Sequence, residues 1–339
     1  MLTTLTAPTS RRARRRVVAT VATAALALGV AACSSSGGAP ANGSGAGGSG
    51  SKLILVELSF ACGLNDYAKQ LCAGATAAGK NLPAGYRVQI KTGIDYADII
   101  AYNSLIQTSM QLNPAGLVIF PNGPAAQTPV LNQACDKNIK VIIIDSPATG
   151  VTCQSSFVGA NHYKLGVLDG KWLIAHPPAS KDVGIVSLQP GQYQSNDDRV
   201  KGLTTTLQAA GYHVVATAVT DNSLDKTRTQ VANMLTAHPD LGAVFSANSP
   251  MAQGTIQALK DHPGIDHLTV DGSLSDVPAI LNGSISADAA QDPYAMGTLA
   301  VQYMVKAIQG QRVPAKTYTP AKIVDKTNAE AYKSAGGLR

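Results

Sequence analysis

From Leu53 onward, short apolar runs alternate with stretches whose apolar residues recur at helical spacing. Leu53-Ile54-Leu55-Val56 predicts a buried strand, and Asp66 to Lys80 a helix. Val88-Gln89-Ile90 predicts a strand, Asp98 to Leu112 a helix, Leu117 to Phe120 a strand and Pro124 to Lys137 a helix. Val141-Ile142-Ile143-Ile144 closes this first series. Continuous apolar runs separated by amphipathic helices mark parallel strands covered on both faces.

The rhythm then restarts. Helices are predicted over Asn161 to Ala175, Asp197 to Ala210, Thr227 to Ala237 and Pro250 to Asp261. Strands are predicted at Val183 to Val186, His213 to Ala216, Ala243 to Phe245 and Leu268 to Val270, with one more over Ile285 to Ala290. Two βα series of similar length predict an α/β protein of two doubly wound parallel-sheet lobes. In such sheets ligands bind beyond the carboxyl ends of the strands, so facing lobes place a site between them.

The first 51 residues follow a different pattern. Arg11, Arg12, Arg14, Arg15 and Arg16 precede an apolar segment of 14 residues, Val17 to Val30, too short to span a bilayer comfortably. Val30-Ala31-Ala32-Cys33 ends it. This arrangement resembles a bacterial lipoprotein signal, which implies cleavage after residue 32, lipidation of Cys33 and anchoring on the outer face of the cytoplasmic membrane. The arginine run leaves both the general secretory and the twin-arginine routes open. Ser34 to Ser51 is nearly all Gly, Ser, Ala, Asn and Pro, a flexible tether. Its Gly43-Ser44-Gly45-Ala46-Gly47-Gly48 matches a dinucleotide fingerprint formally, but no strand precedes it and no helix follows.

The export segment changes the meaning of the charge. The whole chain carries +6, and five of its arginines lie before Cys33 with no acid among them, so the remainder is near +1. The basic balance is therefore no argument for nucleic acid. The other four cysteines, Cys62, Cys72, Cys135 and Cys153, fall in a chain expected outside the cytoplasm, where an even number suggests disulfides. Proximity favours Cys62 with Cys72 and Cys135 with Cys153. No C-x-x-C and no histidine at ligand spacing from a cysteine supports a metal site, and no cofactor is expected.

Polar residues recur just after the predicted strands: Glu57 and Ser59, Pro121 and Asn122, Asp145 and Ser146, Gln189 with Arg199 further on, Asn248, Asp271 and Gln291. Any one of them can be an ordinary turn or cap residue. Together, carboxylates, neutral amides and one arginine suit recognition of hydroxyl groups. Trp172 falls inside a predicted helix and reads as a core residue; His162 reads as a cap or hinge residue.

From Leu53 to about Lys326 the chain resembles the sugar-binding proteins of ABC importers, the ribose-binding type of periplasmic binding protein. The supporting stretches are Val141 to Asp145, Asp198-Arg199-Val200-Lys201-Gly202, Leu235 to Asn248, Leu268-Thr269-Val270-Asp271-Gly272 and Ala289-Ala290-Gln291-Asp292-Pro293. The resemblance implies two lobes joined by a three-segment hinge, with crossovers near Gly159 to His162, near Gln291 and near Pro314 to Thr319. It implies a first lobe of 53–160 plus 292–316 and a second of 161–291 plus 317–335. It also implies a ligand set of Ser59, Phe60, Asn65, Tyr67, Asp145, Arg199, Asn248, Asp271 and Gln291. Two departures stand out: Ser146 occupies a position where the family often has arginine, and only Asn222 stands where a stacking aromatic is expected. With few aromatics to clamp a ring, a small sugar, a linear polyol or another polar metabolite is the expected ligand.

The implied function is capture of that ligand by hinge closure and delivery to an ABC permease in the membrane, by a monomer tied there through Cys33. An alternative is a binding protein that feeds a receptor or a sensor kinase. An enzyme is disfavoured, since there is no H-E-x-x-H and no nucleophile elbow on a strand-to-helix turn.

Overall fold

The computed structural model describes residues 51–338 apart from 94, 96 and 97, so the export segment, Cys33 and nearly all of the tether lie outside the described residues. In chain order the first series is β1 (Lys52–Leu58), α1 (Asp66–Lys80), β2 (Tyr86–Thr92), α2 (Ile99–Met110), β3 (Gly116–Ile119), α3 (Pro124–Asp136), β4 (Lys140–Ile144) and β5 (Gln154–Gly159). The second is α4 (His162–Ala175), β6 (Asp182–Ser187), α5 (Gln194–Ala209), β7 (His213–Val219), α6 (Leu224–Ala237), β8 (Ala243–Ser246), α7 (Ser249–Leu259), β9 (Asp266–Asp271), α8 (Val277–Asn282) and β10 (Ala287–Gln291). The chain ends with α9 (Pro293–Ile308), β11 (Lys316–Tyr318), β12 (Ala321–Asp325) and α10 (Ala329–Ser334).

These strands form two six-stranded sheets, ordered β2-β1-β3-β4-β5-β11 and β7-β6-β8-β9-β10-β12. All pairs are parallel except β10 with β12. Each sheet starts at an inner strand, steps out to one side and then winds back past it, which makes a switch point beside the first strand of each lobe. Strands such as β3, β4 and β8 are buried almost throughout, as helices cover both faces.

The helix boundaries follow from local chemistry. The Asn65 side chain caps α1 by accepting from the Ala68 amide at 2.9 Å, with Asp66 in the first turn and Lys80 in the last. Asp98, Asn161, Asn248 and Asp292 cap α2, α4, α7 and α9 in the same way. Cys62 bridges Cys72, tying the loop after β1 onto α1, and Cys135 bridges Cys153, tying the end of α3 to the approach to β5. Both are the pairs that proximity favours.

Several features differ from the sequence expectations. β5 opens with polar Gln154-Ser155-Ser156, which hides it from an apolar-run search, although Phe157 and Val158 are buried. The first sheet extends to Tyr318 because β11 pairs with β5, so the expected return to the second lobe at residue 317 comes later, between β11 and β12. Trp172 is only half-buried. Its indole N–H donates to Asp325 at 2.9 Å, and its ring stacks on His176 with centroids 4.2 Å apart, so it fastens α4 to β12 at the core's edge. Among the described residues no helix is long and apolar enough to cross a membrane.

Candidate functional site

The chain passes between the sheets three times: from β5 to α4, from β10 to α9, and from β11 to β12. Beside these passages lies a cleft of about 600 Å³. The first lobe lines it with the loop after β1, the start of α1 and the ends of β3 and β4; the second lobe lines it with residues after β6, β7 and β8, the start of α5 and the end of β9.

Eight of the nine expected residues meet in this cleft: Phe60, Asn65, Tyr67, Asp145, Arg199, Asn248, Asp271 and Gln291. Ser59 does not. Its side chain is fully buried away from the cleft. The reason is strand alternation: Ile54, Val56, Leu58 and Phe60 pack in one core cluster, Leu53 and Leu55 in another, and Ser59 continues the second set. Glu57 shares that face, and Asn122 is engaged with Gln127 rather than with the cleft. Phe120 also lines the cleft; it ends an apolar run, so a pattern of polar residues after strands does not mark it.

Phe60, Tyr67 and Phe120 form an edge-to-face cluster with centroid separations of 4.9 Å for Phe60–Phe120, 6.2 Å for Tyr67–Phe120 and 6.4 Å for Phe60–Tyr67. The first lobe thus offers an aromatic wall, richer than composition suggested. The second lobe contributes Leu188, Asn222 and amides instead, so the aromatic surface is one-sided.

Three of the five non-glycine residues with positive φ among those described line the cleft: Asp145 (64°), Asn222 (67°) and Asp271 (129°). At Asp145 the Ser146 amide donates to the Ile144 carbonyl at 2.9 Å, a tight γ-turn that reverses the chain at the end of β4. Strained backbone of this kind persists where surroundings fix it, and it is typical of ligand sites. The Asp145 carboxylate accepts from the Tyr67 hydroxyl at 2.8 Å and from Ser146 at 3.3 Å. Burial and the neighbouring Asp145 charge push the Tyr67 hydroxyl well above its ordinary range, so it stays a donor.

The second lobe is organised around Arg199 on α5. Its guanidinium pairs with Asp271 at 3.0 Å, donates to the Ala247 carbonyl at 2.8 Å and donates through Nε to His162 Nδ1 at 3.2 Å. Gln291 donates to Asp271 at 2.8 Å, and the Ser249 amide donates to its other oxygen at 3.1 Å. Burial holds the His162 imidazole below its usual pKa, and Nε2 lies 3.1 Å from the Asp145 carbonyl. His162 therefore links both aspartates across the first hinge segment. Asn248 caps α7 through Oδ1 and donates through Nδ2 to Asn222 at 2.9 Å. Among the described residues no group of three His, Cys, Asp or Glu side chains could hold a metal ion.

Residues 56–312 match the periplasmic binding protein domain family. The chain belongs to the periplasmic binding protein family. Its relatives include the ribose import binding protein RbsB of Escherichia coli, 30% identical over 294 residues, covering 80% of this chain and 96% of that protein. The D-ribose/D-allose-binding protein of Pseudomonas aeruginosa is 25% identical over 269 residues, covering 77% and 83%. A carbohydrate transporter solute-binding protein of Agrobacterium radiobacter, solved in complex with D-arabinose, superposes with a TM-score of 0.76 at 25% identity, covering 85% of this chain and 99% of that one. A solute-binding protein of Mycobacterium smegmatis with bound glycerol gives 0.74 at 28% identity, covering 83% and 96%. Members of this family are extracytoplasmic solute-binding proteins, not enzymes.

Proposed function

We propose that this protein captures a small sugar, polyol or related polar metabolite in the cleft and delivers it to an ABC importer, while anchored to the outer face of the membrane by lipid on Cys33. The observation that carries this reading is the convergence of Phe60, Asn65, Tyr67 and Asp145 from one lobe with Arg199, Asn248 and Asp271 from the other, beside Gln291 at a crossover. Contacts that need both lobes favour the closed arrangement when ligand is present. A micromolar affinity needs about 8 kcal/mol net, within reach of several charge-assisted bonds plus burial against the aromatic wall. The names of the relatives support a sugar or polyol as the ligand class.

The test is a thermal-shift screen of pentoses, hexoses, polyols and nucleosides on the purified protein and on its Asp271→Ala variant. At least one compound should raise the melting temperature of the parent. The variant should still melt cooperatively but lose that shift, because Arg199 and Gln291 lose their common partner. A screen without a single stabilising compound would remove the sugar-capture reading. For the anchor, Cys33→Ser should release the protein from membranes into the medium; continued membrane retention would count against lipidation.

A further inference from the structure

The cleft wall is unequal in charge. Asp95, Asp145, Asp221 and Asp271 line it, against a single cation among the described residues, Arg199. Arg199 is paired with Asp271, and at the rim Asp221 is 3.3 Å from Lys226. Asp145 differs from both. It is only 5% exposed, and among the described residues its hydrogen-bond donors are the neutral hydroxyls of Tyr67 and Ser146. Its nearest basic group is His162, with Nε2 3.7 Å from Oδ1, and burial keeps that imidazole uncharged near neutral pH. Among the described residues no lysine or arginine forms an ion pair with Asp145.

A second feature points the same way. Two amide oxygens of cleft-lining residues, Gln291 Oε1 and Asn196 Oδ1, are buried and have no hydrogen-bond partner among the described residues. Gln291 and Asn196 are 2% and 6% exposed. Asn196 follows Ser195, whose hydroxyl lies 3.2 Å from that of Ser146, so second-lobe residues reach the neighbourhood of Asp145. The unsatisfied positions are acceptors, and the unbalanced charge is negative. A sugar hydroxyl donates one hydrogen bond and carries no charge, whereas an ammonium donates three and supplies the missing cation.

We propose that the ligand carries an ammonium group, with Asp145 as its counter-charge, so that the site prefers an amine-bearing sugar or polyol to its neutral parent and rejects carboxylated sugars. This rests on the reading of the cleft as a sugar or polyol site. Asp145 binds the nitrogen, Tyr67 and Ser146 orient the carboxylate, and the cleft's negative field raises the local concentration of cations and lowers that of anions.

Calorimetric titration of the purified protein tests this with D-glucosamine, D-galactosamine and 1-amino-1-deoxyribitol. Each is set beside its neutral parent, and the hexosamines also beside the matching uronate. At least one amine should bind about tenfold or more tightly than its parent, a gap of about 1.4 kcal/mol, with no uronate binding. Asp145→Asn should close the gap between amine and parent. If that variant does not show its own cooperative melting transition, the comparison within the unmodified protein decides alone. Parents that match their amines in every pair, or a uronate that binds more tightly, overturn the ammonium proposal and leave sugar capture standing. If nothing binds, the proposal falls together with the sugar reading.

Discussion

At the residue scale, cap and ligand roles turn out to be compatible. Asn65 and Asn248 follow strands, cap helices through Oδ1 and line the cleft at once. The capping preference alone could not separate the two roles, because a residue at a strand-to-helix turn sits at the rim where ligands bind. Glu57 shows the opposite outcome. It also ends a strand, but it points into the core, fully buried, and burial pushes its carboxyl from an ordinary 4.5 to about 7 against the pull of Ser109 and Lys91. The folded state therefore binds more protons than the unfolded one between those values. Stability from this group is full below pH 4.5 and is lost as pH rises towards 7. The whole effect is on the order of 3 kcal/mol. Glu57→Gln should flatten that part of the decline, so that urea unfolding at pH 5 and pH 8 differs less than in the parent by up to about 3 kcal/mol. An unchanged pH slope would show that Glu57 titrates normally.

At the element scale, both lobes use the same device to bring helices together. On α1 and α9, Cβ atoms at Gly74 and Gly297 would strike the carbonyls of Tyr294 and Leu71; on α4 and α5, Cβ atoms at Gly166 and Gly202 would strike those of Arg199 and Tyr163. The second pair matters for the site because it sets the position of Arg199. Gly166→Ala must push α5 away from α4, at a stability loss of about 1–3 kcal/mol. It should also weaken ligand binding, although residue 166 is outside the cleft. Denaturant melts and calorimetry on the same sample check both effects; lost stability with unchanged affinity would detach Arg199 from this packing. At this scale most of the fold was legible. The span of α1 matches its expectation residue for residue, since cap, charges and apolar spacing agree. The late elements were harder to read: β11 and β12 are short and partly exposed, and their places depend on strands more than a hundred residues earlier or on β10.

At the scale of the whole molecule, the lobes also touch outside the ligand set. The Ser275 amide donates to the Asp66 carboxylate at 2.8 Å, joining the first turn of α1 to the turn before α8. Burial opposes ionisation of Asp66, but the Ser275 and Lys69 contacts outweigh it and hold the carboxyl below its usual range. A contact of this kind adds to closure whatever ligand is present. Asp66→Ala should weaken ligand affinity by about three- to tenfold, the worth of one hydrogen bond. In the parent, this contribution is complete above the ordinary carboxyl range and is lost as pH falls through the lowered value. Calorimetry at neutral and acid pH would measure both, and an affinity indifferent to the substitution would exclude a closing role.

The sequence by itself determined the two α/β lobes, because apolar runs and caps recur with a spacing that the backbone imposes. Proximity along the chain favoured the disulfide pairs without fixing them, and the ligand set came from the resemblance to the ribose-binding type rather than from local signals. Tertiary structure alone decided that Ser59 faces away from the cleft while Phe60 and Phe120 build an aromatic wall, because strand register assigns each side chain to one face. It also decided that Arg199 belongs to Asp271 and that, among the described residues, the donors to Asp145 are neutral. Charge balance in a cleft is a sum over residues from distant parts of the chain, and only folding brings its terms together.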